Sequence, residues 1–543
     1  MPKLSGSFAL LLCFAPILRA QVARDFAAED REFTVAALRA PLRFLAHDLL
    51  EGRGPGTRGD ELARLYLATA LEGFGFRPGA QDGSWFQPVP IVGVTATIAQ
   101  PLTAAGGDGN VLTFTAPDDY TARAGVAAEH TAWKGAPLWF VGYGITAPEF
   151  AWDDFGDVDL HGKVLLVMNN DPEDDPALFG GRQRLYYGRW SYKYEEAARR
   201  GAIGAIVIHT TPSAGYPFQV IQATQGIESF ALPAVAGVPA LQIESWCSED
   251  AARKLVALGG KDLDALRAAA NARGFRPVDL GVRLDLATDN RVREIRSGNV
   301  VGVLPGSDEK LKDEYVVVSA HFDHLGRGRE RNGDDIYNGA LDNASGCAAA
   351  LQLARACAHL DPAPRRSVLI LFVTGEESGL LGSEYFAKNP TVPVRAMVAD
   401  FNIDGIDIWG PTTDIEMIGY GKNSLTKLAQ QVAERRGRRV DPDKQGDLGL
   451  FYRSDHFSFA RVGVPSAYFK AGSDFLENPE GRRRLKASYT ATHYHQPSDE
   501  LDPRWNLDGA VADLQLTFEC LVRCADAEVA PTWTADDEFA QRR

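Results

Sequence analysis

Short apolar runs followed by helical patterning recur through the C-terminal half of the chain. Runs at Asn299 to Leu304, Glu314 to Ala320, Ser367 to Val373, Val398 to Ile403 and Ser466 to Phe469 read as buried strands. Stretches from Ala344 to Leu360, near Ser383 to Ala387 and from Leu507 to Cys524 read as helices. Alternation of this kind predicts an α/β domain whose sheet is largely parallel and flanked by helices. Upstream, residues 24 to about 95 begin with helical patterning, and a second helix runs from Glu61 to Phe74. Between these helices Glu51-Gly52-Arg53-Gly54-Pro55-Gly56-Thr57-Arg58-Gly59 has the glycine and proline density of a loop. From about 115 to 275 the texture changes. Strand-like runs at Pro137 to Val141, Lys163 to Met168, Ala202 to Ile208 and around Val238 to Ile243 surround a helix near Tyr194 to Arg200. No cluster of ligand-type side chains accompanies them, since His161 and His209 stand alone. This stretch reads as an inserted domain without chemistry of its own.

A length of 543 residues exceeds what one hydrophobic core supports, so more than one domain is expected. The expected division is a segment to Ala20, a catalytic part over 21–114, an insert over 115–280 and the rest of the catalytic domain over 281–543. The net charge of −15 argues against a nucleic-acid partner, which needs a basic face. Lys3, the apolar stretch Phe8 to Leu18 and the small Ala20 before Gln21 read as a secretory signal cut near Ala20. Export to the periplasm or medium follows. That stretch is too short to span a bilayer, and no other run is long enough, so stable membrane insertion is not expected. Cys247, Cys347, Cys357, Cys520 and Cys524 would remain after cleavage. None has zinc-finger spacing, and an odd count leaves at least one thiol unpaired.

The chemistry lies at the ends of the apolar runs. In an open α/β sheet, the carboxyl ends of the strands face one crevice. The run Glu314 to Ala320 delivers His321-Phe322-Asp323, suited to a metal-bound imidazole whose second ring nitrogen is fixed by the acid. His324 is an alternative ligand. Asp342, before the helix at Ala344, is either a helix cap or a carboxylate that bridges two cations. Glu376 and Glu377 follow the wholly apolar Ser367 to Val373, a costly place for two charges unless a cation waits there. One can ligate while the other moves a proton. Asp404 ends the next run, and Thr492-His493-Tyr494-His495 lies in a loop before the last helix. Two histidines and three acids, with a spare glutamate, make a mixed N/O set suited to zinc, with cobalt or manganese as substitutes. With one acid shared they would hold two ions about 3.5–4 Å apart. No Gly-x-Ser-x-Gly elbow, His-Glu-x-x-His pair or phosphate loop competes.

Taken in order, these motifs resemble the M28 family of co-catalytic zinc peptidases, in particular secreted bacterial members with an inserted protease-associated domain. Leu50-Glu51-Gly52-Arg53 and Gly56-Thr57-Arg58-Gly59 look like that family's N-terminal signature. Phe140-Val141-Gly142-Tyr143-Gly144 and His161-Gly162-Lys163-Val164 look like its insert. The segments around His321, Asp342, Glu376-Glu377, Asp404 and Ser454-Asp455-His456 keep the family order.

The resemblance implies a zinc-exopeptidase fold, with a mixed, largely parallel sheet, and a β-rich insert. It implies one zinc on His321 and Asp404, another on Glu377 and His495, and Asp342 bridging them. Glu376 would be the general base for a hydroxide held between the ions, Asp323 would orient His321, and Tyr494 would stabilise the oxyanion. His495 is preferred to His493 because His-x-Pro-x-Asp matches the closing motif. Leu341 departs from the pattern, standing where relatives often carry Asp or Asn near the substrate amine. The expected activity is aminopeptidase action on peptides. The rivals are a carboxypeptidase or dipeptidase on the same scaffold and a receptor-like binding protein without catalysis. Phe451, Tyr452 and Phe457 line either a specificity pocket or the core.

Overall fold

The computed structural model describes residue 24 and residues 26–172, 178–181, 183–235 and 237–542. The N-terminal segment to Ala20, read above as an export signal, lies outside the described residues. Among the described residues, no helix is long and apolar enough to cross a membrane.

Most strands join in one sheet of sixteen. At its centre Met397–Asn402, Tyr315–His321 and Ser367–Val373 run parallel, with His321 level with Val373 and Ser319 level with Asn402. Ser466–Ala471 extends the parallel set, and Asp414–Ile418 adds to it antiparallel. The central strands are nearly continuous apolar runs because both of their faces are covered. Every residue of Ser367–Val373 is buried. Val368, Ile370 and Phe372 enter the large core formed with Val35–Leu45, Arg58–Gly73, Ser345–Ala358 and Asp508–Asp526. Leu369, Leu371 and Val373 enter the opposite core with Phe386 and Phe459, on the helices Leu381–Lys388 and His456–Arg461. This is a helix–sheet–helix arrangement, and a one-residue slip would exchange the two cores.

The sheet continues toward the strands of residues 130–248 through one 27-residue strand, Val278–Leu304. Its end pairs with Ser367–Val373 and its beginning with His130–Phe140, both antiparallel. Phe86–Ala105 runs alongside it over most of that length. Beyond His130–Phe140 lie the parallel strands Val164–Met168, Gly204–His209 and Ile243–Ser248. The last begins at Ile243, where the sequence pattern had placed its end. Pro239 has no amide hydrogen to give a sheet, and alternation starts only with Ile243-Glu244-Ser245-Trp246.

Residues around Tyr186 touch the C-terminal part of the chain through aromatic packing. Tyr186 lies 4.9 Å from the Phe457 ring and 6.1 Å from Tyr452, between ring centroids. Phe451, Tyr452 and Phe457 are buried in a cluster with Ile418, Tyr468 and Phe539, so they are core residues and not an open pocket wall. All five described cysteines are buried and unpaired.

Candidate metal centre

The parallel register sets His321, the Glu376-Glu377 loop and Asp404 at one edge of the sheet. His321 is the last residue of its strand, and its neighbour ends at Val373, three residues before Glu376. Asp342 comes from the turn before Ser345–Ala358. That helix has no side-chain cap at its start, so Asp342 serves elsewhere. Its two oxygens point in two directions. Oδ1 lies 3.2 Å from His321 Nε2, and Oδ2 lies 3.2 Å from His495 Nε2. Asp404 Oδ1 is 3.5 Å from His321 Nε2, and Glu377 Oε2 is 3.0 Å from His495 Nε2. Glu376 Oε2 approaches His321 Nε2 to 3.9 Å.

Asp323, His324, His493 and Tyr494 surround this pair of imidazoles in different ways. Asp323 has its carboxylate 3.8 Å from His321 Nδ1, while its backbone oxygen takes the closer contact at 3.2 Å. The carboxylate accepts instead from the Glu376 amide at 3.2 Å. His324 Nδ1 lies 2.5 Å from Glu377 Oε1, outside the two groups of donors. His493 stacks on Tyr489 at 4.4 Å, away from the carboxylates. Tyr494 stacks on His495 at 3.8 Å with 55% of its surface exposed. Desolvation and the charges of Asp342, Glu377, Glu376 and Asp404 hold its phenol well above the ordinary value.

Several residues that build this geometry gave no sequence signal of their role. Arg53 is fully buried and donates from Nε to Phe322 O (2.7 Å), from Nη1 to Leu45 O and Asn338 O (both 2.6 Å), and from Nη2 to Gly339 O (3.0 Å). It follows Glu51 and Gly52, and all three have left-handed φ values of 47°, 70° and 52°. A Cβ on Gly52 would stand 2.4 Å from Tyr337 O, so the glycine permits close approach. Asn343, also buried, accepts from Gly346 N and Gly405 N and donates to Ile403 O, fastening the Asp342 turn to the segment around Asp404. Tyr468 donates to Asp404 O at 2.6 Å.

The electrostatics are those of a site built around positive charge. Burial would depress His321, yet Glu376, Asp342 and Asp404 raise it well above its ordinary value. The same opposition, with Glu377 and Asp342 prevailing, pushes His495 up to about 11. Burial and Asp342 would raise Glu377, but His495 and His324 bring it down to about 2. Burial pushes Asp323 up to about 7, and Asp455, near His321, up to about 6. Four carboxylates crowded around two imidazoles are costly without a cation. His321 Nε2 and His495 Nε2 are buried without a hydrogen-bond partner although acid oxygens stand 3.0–3.5 Å away. Donors that sit close but make no hydrogen bond fit metal ligation. Two groups, His321-Asp342-Glu377 and His321-Glu376-Asp404, each gather their ligand atoms within 4.8 Å.

Such a crevice at the strand ends of an α/β sheet defines a metal-dependent hydrolase. Residues 299–518 match the model of Peptidase family M28, so the chain carries a peptidase domain of that kind over those residues. It is 33% identical over 294 residues to a probable zinc metalloprotease of Pyrenophora teres f. teres, covering 50% of this chain and 60% of that protein. It is 25% identical over 255 residues to a probable glutamate carboxypeptidase of Arthroderma benhamiae, covering 44% and 32%. The chain spans about 54–60% of the length of the metalloprotease relatives of Pyrenophora that it matches. The aminopeptidase from Aneurinibacillus sp. strain AM-1 has a similar fold, with a TM-score of 0.51 and 19% identity over 91% of this chain and 95% of that one.

Proposed function

We propose that the protein is a dizinc aminopeptidase, secreted or periplasmic after removal of residues 1–20, that removes N-terminal residues from peptides. His321 and Asp404 would hold one ion, Glu377 and His495 the other, and Asp342 both. One observation carries this reading: a single carboxylate turns one oxygen toward each of two histidines at 3.2 Å. When bound, zinc supplies Lewis-acid polarisation of the scissile carbonyl and acidifies water. The chain's own residues do the rest. Burial raises Glu376 well above the ordinary carboxylate value, and Glu377 and Asp404 add to the rise. As a carboxylate facing bound cations, Glu376 would take a proton from water and return it to the leaving amine. Asp323 accepts from the Glu376 amide and so anchors the backbone that carries that carboxylate. The Tyr494 hydroxyl would donate to the developing oxyanion. The insert over 115–280 is read as a protease-associated domain, between catalytic parts over 21–114 and 281–543.

A carboxypeptidase or dipeptidase is the second reading, because Leu341 packs against the large core and offers no carboxylate to a substrate amine. A free-amine aminoacyl anilide tested against an N-blocked peptide separates the two, and preference for the blocked substrate would overturn aminopeptidase action. The Glu376→Gln variant should keep its zinc and fold while turnover drops at least 10²-fold; undiminished turnover would refute the assigned base.

A further inference from the structure

Asp499 lies four residues after His495 and is 1% exposed. It takes up three consecutive amides of the turn that carries Asp342. Its Oδ1 accepts from Leu341 N at 2.9 Å, its Oδ2 from Asp342 N at 3.1 Å, and its backbone oxygen from Ala340 N at 3.0 Å. The Tyr489 hydroxyl donates to the same Oδ1 at 2.6 Å. The loop between His495 and Asp499 is closed on itself, with Asp499 N donating to Gln496 O at 3.0 Å, and His495 turns it with φ of 57°. Tyr489 comes from Pro479–Thr492, a helix with no buried residue, and its hydroxyl gives that helix a hold on the turn.

We infer that Asp499, steadied by Tyr489, is a positioning residue that fixes the distance between Asp342 and His495. This rests on the dinuclear reading above. The two members of that pair would act together on only one ion, the one held by His495, Glu377 and Asp342; the other ion would share Asp342 but not His495. The other ion keeps His321 and Asp404, which other contacts hold: Asn343 ties Ile403 and Gly405 to the Asp342 turn, and Tyr468 holds Asp404. Loss of the clamp therefore weakens the two ions unequally. In Asp499→Asn the amide keeps one acceptor oxygen and turns its NH2 toward a backbone N–H, so one of the two side-chain bonds is lost. Tyr489→Phe leaves both acceptors in place and removes only the support.

The experiment combines zinc titration calorimetry of apoprotein with hydrogen exchange at residues 340–342. Wild-type protein should bind two zinc ions. Asp499→Asn should keep one site near wild-type affinity and weaken the other about 10- to 100-fold, the usual range for loss of a partner behind a ligand. Tyr489→Phe should weaken the same site roughly two- to tenfold. In metal-free Asp499→Asn, the amides of 340–342 should exchange faster than in metal-free wild type. Equal weakening of both sites, no weakening of either, or unchanged exchange would overturn the clamp. A wild type that binds fewer than two ions would instead overturn the dinuclear reading, and the clamp's role with it. If Asp499→Asn does not fold, the Tyr489→Phe titration alone decides, and wild-type affinity at both sites overturns the proposal.

Discussion

Replacing Arg53 by lysine keeps the positive charge but removes the fork that spans four carbonyls. Three guanidinium nitrogens now reach Phe322 O, Leu45 O, Asn338 O and Gly339 O at 2.6–3.0 Å. Lysine offers three hydrogens from a single atom, so at least one carbonyl is orphaned and others lose their geometry. Hydrogen bonds to a charged group contribute about 1.5–3 kcal/mol each, and an unpaired buried acceptor costs about 1–3 kcal/mol. With one or two bonds lost, Arg53→Lys should destabilise the protein by about 2–5 kcal/mol, a large share of ordinary domain stability. The assay is urea unfolding of the zinc-loaded protein, where slopes of about 1–3 kcal/mol per molar place the midpoint lower by about 1–2 M. Function should fall as well, since Phe322 lies between His321 and Asp323 and Gly339 precedes the Asp342 turn. A loss of about 10- to 100-fold in kcat/KM is expected, as for other partners behind metal ligands. A midpoint within about 0.2 M of wild type, with wild-type kcat/KM, would refute the reasoning.

Two further predictions follow from the same geometry. His456 is fully buried, and burial pushes its imidazole down to about 3, with only a backbone contact at Phe451 opposing. The unfolded chain binds a proton below about 6.5 that the folded chain refuses, so stability is complete above that pH and falls as pH drops toward 3. Between pH 7 and 4.5 wild type should lose about 2–3 kcal/mol more than His456→Gln in denaturant unfolding; parallel pH profiles would contradict this. Tyr494→Phe should retain fold and zinc, because the ring is largely exposed, yet lose about 100-fold in kcat with KM little changed. A kcat within twofold of wild type would remove the hydroxyl from the chemistry.

What could be read in advance follows a physical boundary. Ser367–Val373 was legible to the residue because six apolar positions in succession, Val368 to Val373, suit a strand buried on both faces. The acids and histidines at such strand ends were legible because charge next to a buried strand demands a partner. The 27-residue strand Val278–Leu304 was recognised only over its last six residues. Upstream it alternates polar and apolar positions, bends at register shifts, and borrows its order from Phe86–Ala105. Pro479–Thr492 was missed because it has no apolar stripe, its place being held by single contacts such as Tyr489 to Asp499. Arg53 sits in a glycine-rich segment that has the composition of a solvated loop, yet it is fully buried. Its carbonyl partners lie up to 286 residues away, and no local pattern announces them. The same holds for Asn343 and Tyr468, whose roles exist only once the Asp404 segment is folded beside them.

The most direct measurement of the central claim is the zinc content of purified protein, read by elemental mass spectrometry after dialysis against metal-free buffer. The shared carboxylate predicts about two zinc ions per chain in wild type and one or fewer in Asp342→Ala, because that residue belongs to both sites. One ion or none in wild type, or two retained without Asp342, would contradict the dinuclear centre.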